Sequence, residues 1–239
     1  MRLIIPILAG FSLLFMAAPV NADPGTQTRA LAALAACAGC TIEHADFSQT
    51  NLAGIRLNGA TLRDVNLQGA DLSGAQLSGV TLINVRLDDA TLSNATFDGA
   101  NVSSSSFRGA ALDGTRFQGV NFDHNVFVRA RLHGAGVFGS RLLASDLRDA
   151  DLGGADLASS DLAGSNLRGA DLAKSILCQT ANENSTENGR IVTHKRVMRC
   201  VGLKGADVGG VRFETGLACD DGNCTVADPT LIRRSNGAG

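Results

Sequence analysis

The sequence predicts an all-β fold, an elongated solenoid wound in four-sided coils with five residues to a side. Three observations carry this. Every fifth residue from Ile42 to Leu177 is Leu, Phe, Val or Ile, with no break in phase. Two places before each stands a small or β-branched residue, and two places after it often Gly, as in A-D-L-G-G at 150–154. Trp and Tyr are absent and aromatics make up 4% of the 239 residues, which suits stacked Leu and Ala better than a compact core with bulky anchors. A period of five fits neither the 3.6 of a helix nor the 2.0 of a simple strand. It fits a short strand and a corner, repeated as a solenoid.

The elements follow in chain order. Residues 1–22 read as a secretory signal: Arg2 supplies the positive start, Leu3 to Ala18 the apolar run, and Val20-Asn21-Ala22 a small-residue cleavage site. The alternative, a membrane anchor, is interrupted by Pro6 and is short for a span. Removing Arg2 with the leader takes the formal charge from −2 to about −3. That is too neutral for a nucleic-acid binder. Residues 23–39 are expected to form a short helical cap, started by Thr26 or Thr28 and apolar through Leu31, Leu34 and Ala35. A solenoid end needs such a lid over its open first coil.

Cys37-Ala38-Gly39-Cys40 comes next. A redox-active pair is one reading, but no βαβ pattern follows, and Thr41 stands where a haem site would need His. In an exported chain a fastening disulfide or small buried thiols are the plainer reading. Within the repeat, residues 40–179, the central residue and the small one before it point inward. Residues twenty apart then stack, and 28 units make about seven coils, roughly 34 Å long at strand spacing. One column, Leu52 through Leu172, is all Leu, with Ala partners from Ala70 to Ala170. Phe fills the middle coils at Phe97, Phe107, Phe117, Phe122 and Phe127. Asn125 breaks the rule, a polar amide at an inward position. Its column neighbours are Ser105, Ser145 and Ser165, so an internal hydrogen-bonded ladder is expected.

The run of A-(D/N)-L-x-x units resembles the pentapeptide repeat family over about 140 residues. That resemblance implies a right-handed quadrilateral β-helix with four repeats per coil. After Leu177 the phase breaks into a polar excursion over 180–200, read as a flexible, turn-rich loop. Leu203, Val208 and Phe213 then resume the spacing over 201–218, displaced by one residue. The L-C-x-T opening followed later by a Cys resembles the end of many exported family members and implies a Cys178–Cys200 clamp. The longer loop here departs from the short version. Cys219 and Cys224 bracket a tight turn at the head of the tail, 219–239, and suit a local disulfide better than a calcium loop. All six cysteines are thus disulfide candidates, an even count that suits export.

No catalytic constellation is legible. His44 and His124 share a column four coils apart, His133 falls on the opposite side, and His194 lies in the excursion, so no cofactor or metal is expected. Asp146, Asp151, Asp156 and Asp161 ring one coil, read as solvated carboxylates accepting local hydrogen bonds and answered by Arg108, Arg148 and Arg168. Apolar residues at outward positions, Val126, Val128, Phe138 and Leu143, form the candidate partner patch. The expectation is a non-enzymatic exported scaffold or protein-binding surface, with an unnamed protein partner, no nucleic acid and no integral membrane segment after cleavage. Its compartment would be periplasmic or extracellular, or the thylakoid lumen in a photosynthetic host. Two other readings remain. Some pentapeptide repeat proteins mimic duplex DNA and protect type II topoisomerases, and Cys37 with Cys40 would serve a thiol oxidoreductase.

Overall fold

The computed structural model describes residues 37–187, 190–208, 217–220 and 223–226. The signal of 1–22 and most of the helical cap lie outside them, as does Phe213 of the resumed repeats. Only Cys37–Gly39 of the cap are described, and they enter a turn at Ala38 and Gly39.

Six three-residue strands build one side of the body: β1 (Thr41–Glu43), β2 (Thr61–Arg63), β3 (Thr81–Ile83), β4 (Asn101–Ser103), β5 (Asn121–Asp123) and β6 (Arg141–Leu143). They pair parallel in chain order, Thr41 against Thr61 and so on upward. Parallel bridges extend that column from Arg141 to Asp161 and from Asp161 to Gly202. The other three sides are columns of single bridges, also twenty residues apart, such as Asp46–Asn66, Asn51–Asp71 and Arg56–Gln76. Each rung bonds in both directions: Phe47 N–H donates to Asn66 C=O at 2.8 Å, and Asn66 N–H to Ala45 C=O at 2.9 Å. This is a four-sided parallel β-helix.

The alternation of inward and outward residues follows from the five-residue unit. At most corners the chain turns through a positive φ two residues after the central one, which is why Gly recurs there; Gly79 has φ +67°. The N–H of the following residue closes the corner, as in Ala60 to Leu57 at 3.0 Å. The Leu column from Leu52 to Leu172 and its Ala partners are buried throughout. Each such Leu contributes about 1.5–3 kcal/mol of transfer free energy. In the middle coils the aromatic rings meet directly. Phe107 stacks on Phe127 at 4.8 Å, Phe97 lies tilted over Phe117 at 5.0 Å, and Phe122 sits edge-on to Phe117 and Phe127 at 5.2 Å each.

The excursion differs from its prediction. Instead of a loose loop, it is a long antiparallel hairpin, β7 (Cys178–Glu187) with β8 (Arg190–Cys200). Backbone pairing is what a polar composition does not advertise, because neither strand has an alternating apolar face. The hairpin begins at Cys178, two residues before the expected start at 180, and ends at Cys200. Val201 N–H donates to Leu177 C=O at 2.8 Å, so the coil closes across the neck of the hairpin. Asp161 pairs with Gly202, 41 residues on instead of 20, so 21 residues are looped out of the helix. That odd number is the one-residue displacement seen in the sequence. A short hairpin follows, β9 (Leu217–Asp220) with β10 (Asn223–Val226).

Candidate functional surface

The polar column inside the body is built by its corners. On the side carrying β1–β6 the corner residue in the left-handed region is not Gly but His44, Asp64, Asn84, Ser104, His124 and Ala144, with φ between 50° and 55°. These corners are open. The N–H groups of Val85, Ser105 and Asn125 donate to the next coil: to Ser105 Oγ at 3.1 Å, Asn125 Oδ1 at 2.8 Å and Ser145 Oγ at 3.3 Å. Asn125 also donates through Nδ2 to Val102 C=O at 2.9 Å. Its amide therefore serves both free groups of the corner one coil before it. Ser165 Oγ donates to Leu142 C=O at 2.5 Å. The expected ladder of Ser105, Asn125, Ser145 and Ser165 is buried, and its rungs run from side chain to backbone. Asn125, only 1% exposed, is a structural residue.

The sequence reading missed a second such set. Ser140 and Ser160 are buried in the adjacent column and Thr115 in the opposite one. Ser140 Oγ accepts from Val120 N–H at 3.0 Å and donates to Phe117 C=O, so one hydroxyl is inserted into a corner. The sign was available: a hydroxyl at a position where Ala or Val is the habit.

Outside, the Asp ring behaves as local chemistry. Asp151, Asp156, Asp161 and Asp171 each accept from the backbone N–H two residues on, at 2.8–3.1 Å. Asp146 is gripped by Arg148, Nε to Oδ1 at 2.8 Å and Nη2 to Oδ2 at 2.7 Å. The Arg148 hydrogen bonds hold the Asp146 carboxyl below the usual carboxylate range, against a partial burial that acts the other way. Ion pairs also run between coils, Arg116 with Asp98 at 2.5 Å and Arg131 with Asp113 at 2.7 Å. Three histidines of the body have an acidic neighbour: His44 with Asp64 at 3.6 Å, His124 with Asp123 at 2.7 Å and His133 with Asp151 at 3.9 Å. Among the described residues no cluster of three metal-ligating side chains occurs.

The candidate patch spreads over three adjacent sides. Val126 and Val128 lie on the side that follows β5, where Val126 bridges to Ser106 and Asp146. Phe138 is on the opposite side, with its neighbour Gly136 bridged to Arg116 and Asp156. Leu143, in β6, is on the side between them. Val128 is moreover 6% exposed, a core residue in all but position. Its column neighbours one coil away are Arg108 and Arg148. Sequence periodicity sorts inside from outside but does not give the cover that a particular outward side chain receives. Val126, Phe138 and Leu143 are half-buried.

The cysteines sit at the ends of the repeat. Cys37 and Cys40 are joined by a disulfide with Cα atoms 5.2 Å apart, and Cys37 is 5% exposed. Cys178 is disulfide-bonded, and the residue opposite it in the hairpin ladder is Cys200. Cys219 and Cys224 are likewise opposite one another across β9 and β10. Among the described residues no helix is long and apolar enough to cross a membrane.

Comparison with known proteins agrees with the repeat. HetL, a pentapeptide repeat protein involved in heterocyst differentiation regulation in the cyanobacterium Nostoc sp. Strain PCC 7120, shares 20% identity over 80% of this chain and 92% of its own, with a TM-score of 0.38. Trypsin-treated QnrB1, a plasmid-mediated fluoroquinolone resistance protein, shares 19% over 74% and 84%, with a TM-score of 0.37. A pentapeptide repeat protein of the Arabidopsis thaliana thylakoid lumen shares 18% over 82% and 90%, with a TM-score of 0.18. No curated protein matches. The family model for pentapeptide repeats matches in eight copies, over residues 40–79, 75–110, 105–142 and 144–180. With more than half of its length matched, the chain belongs to the pentapeptide repeat family.

Proposed function

We propose that the protein is a non-enzymatic β-helix that works in an exported compartment as a scaffold or protein-binding surface. The observation that carries this reading is the filled interior. Leu, Phe and Ala columns occupy the body from Leu52 to Leu172, and even the polar positions inside it are spent on backbone corners. Among the described residues, a ligand would meet the outer sides and the hairpins. Export is supported by the leader-like residues 1–22 and by the Cys37–Cys40 disulfide, which belongs to an oxidising compartment. Burial of Cys37 favours a fastening role over thiol exchange, which needs an accessible thiolate. A net charge of −2, with carboxylates engaged locally, gives DNA mimicry no support.

The test has two arms. N-terminal sequencing of the chain from fractionated cells should begin at Asp23 in the exported fraction; an intact Met1 in the cytoplasm would refute export. Affinity capture from that exported fraction should return a protein partner that is lost with Phe138→Asp/Leu143→Asp, if the edge between their adjacent sides takes part. Capture unchanged by that pair moves the surface elsewhere on the body.

A further inference from the structure

The underside of the first coil is an open floor. The inward positions Ala45, Thr50 and Ile55 are half-buried there, whereas their counterparts one coil up, Val65, Ala70 and Ala75, are at most 2% exposed. Ile55 is also larger than the rest of its column, which continues as Ala75, Ala95, Thr115, Ala135 and Ala155. The one large apolar side chain stands at the rung with no coil beneath it. The backbone is open as well. In the second coil the N–H groups of Asn66, Asp71 and Gln76 donate downward to the C=O groups of Ala45, Thr50 and Ile55 at 2.8–2.9 Å. The matching N–H groups of Asp46, Asn51 and Arg56 face no coil among the described residues. Exposed apolar side chains and unpaired rungs at a solenoid end call for cover.

We propose that residues 23–36 of the same chain lie across this floor, with Leu31 and Leu34 set against Ala45 and Ile55. The point where the segment joins the body selects it. Cys37 takes the central position one unit before Ile42, is 5% exposed, and is tied to Cys40 by the disulfide. Gly39 N–H donates to Asn58 C=O at 3.0 Å, as Gly59 N–H does to Ser78 C=O one coil up. The segment is therefore anchored at the rim of the floor. Its composition fits the surface: residues 30–36 are all Ala or Leu, and the nearest charge is Arg29. Read as a helix, those residues run about 10 Å, roughly the length of one three-residue side. A second copy or a foreign chain would have to displace a tethered competitor present at an effective concentration on the order of millimolar. The helical pattern of 23–39 predicts a cap; the floor and the Cys37 anchor give it a seat. The proposal does not rest on the exported role, since residues 23–36 are present whether or not 1–22 are removed.

Site-specific photo-cross-linking of the purified protein tests it. Ile55→p-benzoylphenylalanine should, on irradiation, join residues 23–36 of its own chain, read as a cross-linked peptide at monomer mass. The reverse placement, Leu34→p-benzoylphenylalanine, should mark residues 40–57, and it keeps the test valid if the bulky group at 55 disturbs folding. Leu31→Glu/Leu34→Glu should abolish the cross-link from 55. It should also speed hydrogen exchange of the Phe47 and Leu52 N–H groups about tenfold, with the middle coils unchanged. A product of doubled mass places a second copy on the floor and overturns the proposal. So does a cross-link to any other segment or protein, and so does the absence of any cross-link from both positions.

Discussion

At the scale of the residue, the account turns on corners. A closed corner satisfies its own N–H, and an open one must borrow an acceptor from the next coil. Asn125 lends both halves of its amide to the corner spanning Val102 and Ser105. Asn125→Leu leaves a buried N–H and a buried C=O without partners and should cost about 2–4 kcal/mol, read from urea midpoints. Asn125→Ser, the residue of the flanking rungs, should cost clearly less. The position of this ladder was legible, because a polar residue broke an apolar column. Its direction was not, because the spacing of side chains says nothing about which backbone corners are open. The surface pairs give a pH signature. Asp146 has its folded pKa depressed, chiefly by Arg148, so its contribution is present above the ordinary carboxylate range, roughly pH 4, and is lost as pH falls through the lower folded value. Arg148→Gln should therefore melt slightly below wild type at pH 7, and the two should converge in strong acid. A gap that persists in acid would point to packing by the Arg stem instead.

At the scale of the element, the Phe-filled waist and the hairpin behave differently. Phe122 faces three rings, Phe107 at 6.2 Å and Phe117 and Phe127 at 5.2 Å. Phe122→Ala should cost about 3–5 kcal/mol by denaturant unfolding, while Gln118→Ala on the outer face should leave the midpoint in place. The waist could be read from the sequence because period and residue size suffice to stack Phe on Phe. The hairpin could be located but not typed. Its strands pair through backbone across Thr, Asn, Ser and charged residues, with no apolar alternation for a sequence to display. The spread of Val126, Phe138 and Leu143 over adjacent sides was countable from the sequence, since five residues advance the chain by one side. Burial of Val128, at an outward position, was not.

At the scale of the whole molecule, the claim is that twenty residues are the unit of this protein. Each turn rests on its neighbours through the same columns, so stability is shared along the axis. The hairpin is an insertion that the helix accommodates by closing behind it at Leu177 and Val201. The most direct test is excision. Deleting residues 81–100 removes one full turn and joins Val80 to Asn101, with Val80 standing where Ala100 stood in its own inward column. Deleting 81–90 removes half a turn, so the coil after the junction meets the opposite side of the coil before it, while later coils keep their partners twenty residues on. The account predicts that the full-turn deletion keeps the wild-type β circular dichroism spectrum and a cooperative melt, while the half-turn deletion, with one mismatched junction, melts lower. Equal melting of the two deletions would contradict a four-sided helix of twenty-residue turns.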